Sequence, residues 1–194
     1  MRSVFTMRNR SLRDLILAAL FAGLTGVVAQ IRFFLPGIPT VQVTLQVLAI
    51  LLAGGLLGRT WGAISMLLYL LLGAAGLPVF AGGTAGVGVL LGPTGGYLLS
   101  APAAAWIVGL LAPCSRSQTY WRTALAMLAG LCVVYLGGAG WAMLVGGHGL
   151  AAVVSGWILP FVPLDLVKVV AAAALSTAVT QALAAQGFWA TKTP

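Results

Sequence analysis

Acidic side chains are almost missing from this chain: Asp14 and Asp165 are the only two in 194 residues. The single histidine, His148, is as isolated. Acid–base catalysis needs titratable groups that converge on a substrate, and these three are scattered, so the chain is read as no enzyme. One histidine also excludes a histidine-rich metal centre or a bis-histidyl haem within one chain. Of two cysteines, Cys114 falls in a polar loop and Cys132 inside an apolar run, so no disulfide is expected. Only 6% of residues are charged, too few to coat a soluble globule.

Apolar residues make up 61% of the chain, which marks an integral membrane protein. Crossing a hydrocarbon core of roughly 30 Å takes about 20 helical residues, so the length suits about six spans in a single transmembrane domain covering residues 1–194. The expected spans are residues 12–31, 41–57, 61–75, 97–111, 123–145 and 163–185, an all-α bundle in the lipid bilayer. The formal charge of +8 would suggest nucleic acid in a soluble protein. Here the cations fall in the short connections and orient the chain instead. Arg2, Arg8, Arg10, Arg13, Arg59, Arg116, Arg122 and Lys192 share one side, eight of ten, while Arg32 and Lys168 lie toward the other. The crowded side is expected to be cytoplasmic, with both termini there and the protein in the cell membrane. The basic start before the first apolar run resembles a secretory signal with a weak cleavage site at residues 27–29, but an uncleaved first span is expected because the run is longer than a signal core.

Two connections stand out. Phe33, Phe34, Pro36, Gly37 and Pro39 make a link that cannot be helical throughout. Residues 76–96, between the third and fourth spans, carry eight glycines and two prolines in 21 positions and are not expected to form a regular helix. Irregular backbone survives at membrane depth only where protein buries it or it lines a cavity, so this loop is expected to be re-entrant. No Lys-Ser or Lys-Thr pair follows it, and no strand-turn-helix unit with a later acid surrounds it, so it matches neither a P-loop nor a dinucleotide fingerprint. A short helix is expected at residues 150–159, after the break at Gly146, Gly147, His148 and Gly149.

Asp165 and Lys168 are the main candidates for chemistry. Spaced i, i+3 just after Pro163, they share one face in the first turns of the sixth span. An ionised group there costs roughly 2.5 to 3.5 kcal/mol on insertion scales, which calls for a partner. One reading is an internal salt bridge that locks helices; the other is a site where Asp165 accepts N–H bonds from a ligand and Lys168 meets a ligand oxygen. The glycine-rich loop likewise serves either tight packing or a cavity floor, with Thr84, Thr94 and Tyr97 offering hydroxyls. Gln46, a polar residue within the second span that needs a partner, and Phe80, in the loop's apolar part, are further candidates for the substrate-binding site. The Trp residues suit interfacial belts or a pocket wall. A serine–histidine dyad of Ser155 and His148 lacks a nucleophile motif. Ala18 and Ala22 form a small-residue stripe on the first span that suits internal packing or docking of a partner.

The segments LLYLLLGAAGLPVFAGGTAGVGVLLGPTGGYLL (67–99), VTLQVLAILLAGGLLG (43–58) and LPFVPLDLVKVVAAA (159–173) closely resemble the BioY family. These are the biotin-specific substrate-binding S components of energy-coupling-factor (ECF) transporters. The resemblance implies a six-helix protein that captures biotin from outside as transported ligand, with no cofactor. It also implies partners, a transmembrane coupling protein and cytoplasmic ATPases, met through the first-helix stripe, here Ala18 and Ala22. By position, Asp165 and Lys168 match the family's charged pair beside the vitamin, and Thr84 and Tyr97 fall in the other pocket-building segment. Two departures stand out: Gln42 occupies a position that is often proline, and Gly82, Gly83 and Thr84 stand where some relatives carry an asparagine. Alternatives are an S component for another vitamin and a membrane accessory protein without a ligand.

Overall fold

Apolar side chains cover the outside of this protein as well as its centre. Leu20, Leu24 and Val27 in the first span, Leu71 in the third and Leu136 in the fifth are all exposed, the arrangement of a bundle whose solvent is lipid. The computed structural model describes residues 2–35, 38–112, 115 and 118–186, with the backbone alone for 2–10, 33–35 and 38–42. Pro36, Gly37, Pro113, Cys114, Arg116, Trp189 and Lys192 lie outside the described residues.

Helix α1 (Arg2–Ala29) leads into an antiparallel hairpin of β1 (Arg32–Leu35) and β2 (Ile38–Thr44), with Arg32 opposite Thr44 and Phe33 opposite Val43. The hairpin corrects one boundary. The sequence reading starts the second span at residue 41, yet residues 41–44 are strand and α2 (Gln46–Ala74) begins after them. Val41, Val43 and Thr44 are β-branched and alternate with Gln42, a short pattern that favours a strand and is easily absorbed into the apolar run behind it.

Helix α2 is two spans. Gly58 has φ 77° and ψ −178°, outside helical space and open to glycine at little cost, and it turns the chain back on itself. A Cβ on Gly62 would lie 2.8 Å from the Ala53 carbonyl oxygen, whereas nine residues of straight helix would separate them by about 13.5 Å. The re-entrant segment follows, with one 3₁₀ turn (Ala81–Gly83), α3 (Val87–Leu91) and α4 (Gly95–Leu99), so short helical turns replace the loop expected throughout 76–96. Pro102 near the start of α5 (Ala101–Leu111) has no N–H for the preceding turn, which accounts for the interruption at Ser100. Then come α6 (Tyr120–Leu144), α7 (Leu150–Val153), a π-helical turn (Val154–Ile158) and α8 (Val162–Ala185). Counting α2 as two and α4–α5 as one, the described residues make the six-helix membrane bundle expected, with the glycine-rich loop between the third and fourth spans.

Glycine notches set the packing. Gly54 receives Ala105 and Val108 of α5, and Gly55 receives Ser176 of α8, whose hydroxyl would lie 2.8 Å from an added methyl. Around them close Ile50, Ala53, Met66 and Ala104 on one side and Leu51, Met127, Val169 and Ala172 on the other. Such close approach maximises dispersion contacts, the main attraction between helices in lipid.

The first helix brings a second correction. Ala18 and Ala22 are buried by their own chain, Ala22 in a cluster with Tyr69, Phe80 and Leu98. Their stripe packs inside the bundle and offers no face to a partner. One position further round, Ala19 and Gly23 are exposed, and nothing lies within 4 Å of a Cβ built on Gly23.

Candidate functional site

A cavity of about 790 Å³ opens at the end of the bundle that carries the hairpin and the loops. Its size falls within the roughly 300–1,000 Å³ usual for small-molecule sites. The start of α2 contributes Gln46 and Val47, the re-entrant segment Phe80, Thr84 and Tyr97, α6 Tyr135, the π turn Trp157, and α8 Asp165 and Lys168. All six sequence-predicted ligand-site residues therefore reach one hollow, although they span 123 positions, from Gln46 to Lys168.

Pro163 stands in the first turn of α8, where its missing donor is harmless, and Asp165 closes that turn through its N–H to the Phe161 carbonyl at 2.9 Å. One turn on, Lys168 Nζ donates to Asp165 Oδ1 at 2.6 Å. The other carboxylate oxygen accepts from Tyr135 Oη at 2.7 Å. Asp165 is 3% exposed and Lys168 7%, so the pair is both an internal salt bridge and part of the cavity wall. Each carboxylate oxygen can accept a second bond, and the ammonium has two further donors, so an occupant can be met without breaking the pair.

The rest of the wall is more apolar and held from behind. Phe80 is 1% exposed, edge-on to Tyr69 at 5.5 Å between ring centroids, and seated against Gly73. Tyr97 Oη donates to the Trp157 carbonyl at 2.6 Å, tying the fourth span to the π turn across the cavity. Thr84 Oγ1 donates to the Ala81 carbonyl at 3.0 Å within its own turn. Gln46 is near-buried and makes no side-chain hydrogen bond to another described residue, so its amide is available at the wall. Ser155 Oγ donates to the Ala151 carbonyl at 2.8 Å, and His148 stacks obliquely near Trp157, so the two form no dyad.

Sequence reasoning passed over Tyr135 and left Trp157 among the general aromatics. Tyr135 lies 30 positions before Asp165, and only the rotation of α6 brings its hydroxyl round. The signal available was a lone phenol within an apolar span, a polar group that needs a partner in lipid.

Known proteins are similar to this chain along most of its length. The sequence profile of the BioY family matches residues 2–185. A probable biotin transporter BioY of Pyrococcus horikoshii is 41% identical over 156 residues, 80% of this chain and 89% of that protein. The biotin transporter BioY of Thermotoga maritima is 38% identical over 165 residues, 85% and 94% of the two. The crystal structure of the S-component for biotin from an ECF-type ABC transporter superposes with a TM-score of 0.78 at 28% identity, covering 88% of this chain and 92% of that one. On sequence and fold alike, this multi-pass membrane chain belongs to the BioY family.

Proposed function

We propose that the chain captures biotin in the cavity and hands it to the cytoplasm as the S component of an ECF-type transporter. The observation that carries this reading is the buried Asp165–Lys168 pair at the wall of an otherwise largely apolar hollow. Biotin offers two ureido N–H donors, a ureido carbonyl, an apolar thioether ring and a valerate carboxylate. Asp165 suits the N–H donors and Lys168 one of the oxygens, while Phe80, Val47 and Trp157 suit the ring. Gln46, Thr84 and Tyr97 supply the remaining polar contacts.

The chain carries no P-loop, so energy for uptake comes from partners: a transmembrane coupling protein and cytoplasmic ATPases. The open Ala19–Gly23 face of α1, in place of the buried Ala18 and Ala22, is the surface we assign to that contact. The cation distribution supports a cell-membrane protein with both termini cytoplasmic, which puts the cavity mouth outside.

Titration calorimetry of the detergent-solubilised protein tests the assignment. Wild type should bind biotin, and Asp165→Asn and Lys168→Met should each weaken binding by more than tenfold, about 1.4 kcal/mol. Unchanged affinity in both variants would remove the pair from the site.

A further inference from the structure

The residue just past the end of α1 grips the cavity wall through its side chain. Gln30 Nε2 donates to the Phe80 carbonyl at 3.0 Å and lies 3.4 Å from the Val79 carbonyl, while its Oε1 accepts from the Gly83 N–H at 2.7 Å. The same amide nitrogen reaches the Gly26 carbonyl of its own helix at 3.0 Å, which fixes its direction. Two further bonds tie this part of the loop to the third span: Tyr69 Oη donates to the Val79 carbonyl at 3.2 Å, and the Gly86 N–H donates to the Gly73 carbonyl at 2.7 Å. Between these anchors the chain makes a tight knuckle, with Gly82 and Gly83 at φ 77° and 70° and a backbone bridge from Phe80 to Thr84. Phe80, Ala81 and Thr84 of that knuckle are cavity wall.

We propose that Gln30 is a positioning residue that latches the 79–84 knuckle against α1 and thereby sets how long the cavity retains its occupant. Gln30 itself does not line the cavity, so its effect on a ligand passes through the knuckle backbone. Both functions of its primary amide are used, donor to Phe80 and acceptor from Gly83, and no shorter or apolar side chain reproduces both. Because the latch sits at the end of α1, whose outward face is the one assigned above to the coupling partner, a shift of α1 is passed directly to the wall. The inference rests on the biotin reading for its ligand but not for its mechanics.

Two measurements on the whole 194-residue chain in detergent separate these. In ligand-free protein, Gln30→Met, close in length and shape, should speed hydrogen exchange of the Gly86 amide while amides of the α6 core such as Met127 stay protected. With labelled biotin chased by excess unlabelled biotin, the same variant should release ligand at least tenfold faster, with its association rate within about threefold of wild type. Gln30→Glu keeps the acceptor for Gly83 but loses the donors, and should also release faster. Unchanged Gly86 exchange overturns the latch, as does faster exchange with an unchanged release rate. Exchange rising equally at Gly86 and Met127 also overturns it, by showing general loosening. Failure of wild type to bind biotin defeats the functional reading instead, and leaves the exchange test standing.

Discussion

Asp165 holds two donors in a space where water is scarce, so replacing any of the three groups has a stability effect entangled with a binding effect. Removing one partner of a buried pair typically costs about 3–5 kcal/mol because the other charge is stranded, while replacing both by apolar groups is often neutral. The double variant Asp165→Leu with Lys168→Met should therefore melt at a higher temperature in detergent than Lys168→Met alone, yet bind no biotin. A double variant less stable than the single would mean the pair contributes net stability. Tyr135→Phe is the gentler probe. It deletes one hydrogen bond to a charged group, worth about 1.5–3 kcal/mol, and leaves the ion pair intact. Biotin affinity should fall about tenfold by calorimetry, and an unchanged affinity would show that Tyr135 serves the ion pair and not the ligand.

Among the helices, α1 has two small-residue faces with different duties. Ala22 packs with Tyr69 and Phe80 inside and Ala18 is fully buried on the same face, so Ala18→Leu overpacks a finished core and should cost about 1–3 kcal/mol of thermal stability. Ala19→Leu with Gly23→Leu adds bulk toward lipid, where Gly23 has open space. That variant should keep its melting temperature and its biotin affinity but lose ATP-driven uptake in cells that supply the energising proteins. Full-rate uptake would move the docking surface elsewhere. Between α2 and the knuckle the fit is closer still, since a side chain on Gly73 would occupy the place of the Phe80 ring. Gly73→Leu should displace Phe80 from the wall and lower both folded yield and biotin binding.

Taken together the bundle has an orientation as well as a shape. Arg13, Arg59 and Arg122 stand at the ends of spans remote from the cavity, at the Gly58 turn and beside the connection before α6, while the hairpin and the π turn flank the mouth. A reporter active only in the cytoplasm, fused ahead of Met1 or after Pro194, should be active in both fusions. Activity in only one would require an odd number of crossings and would break the six-span count.

Composition was enough to establish a multi-pass membrane chain, because apolar transfer is summed residue by residue and needs no knowledge of neighbours, and cation placement carries the orientation we propose. Short-range geometry was equally legible: Pro163, Asp165 and Lys168 share a turn in any helix that contains them, and the glycines of 76–96 forbid a long one. The opposite walls of the cavity were not legible in that way. Tyr135 reaches Asp165, and Trp157 the same cavity, only once the helices have packed against one another. Ala18 and Ala19 differ by one position, about 100° of helical rotation, and both belong to small-residue pairs. Burial against the third span and the re-entrant segment chose which pair turned inward. Gln30, a polar residue at a helix end, acquired its partners 49 to 53 positions away by the same packing.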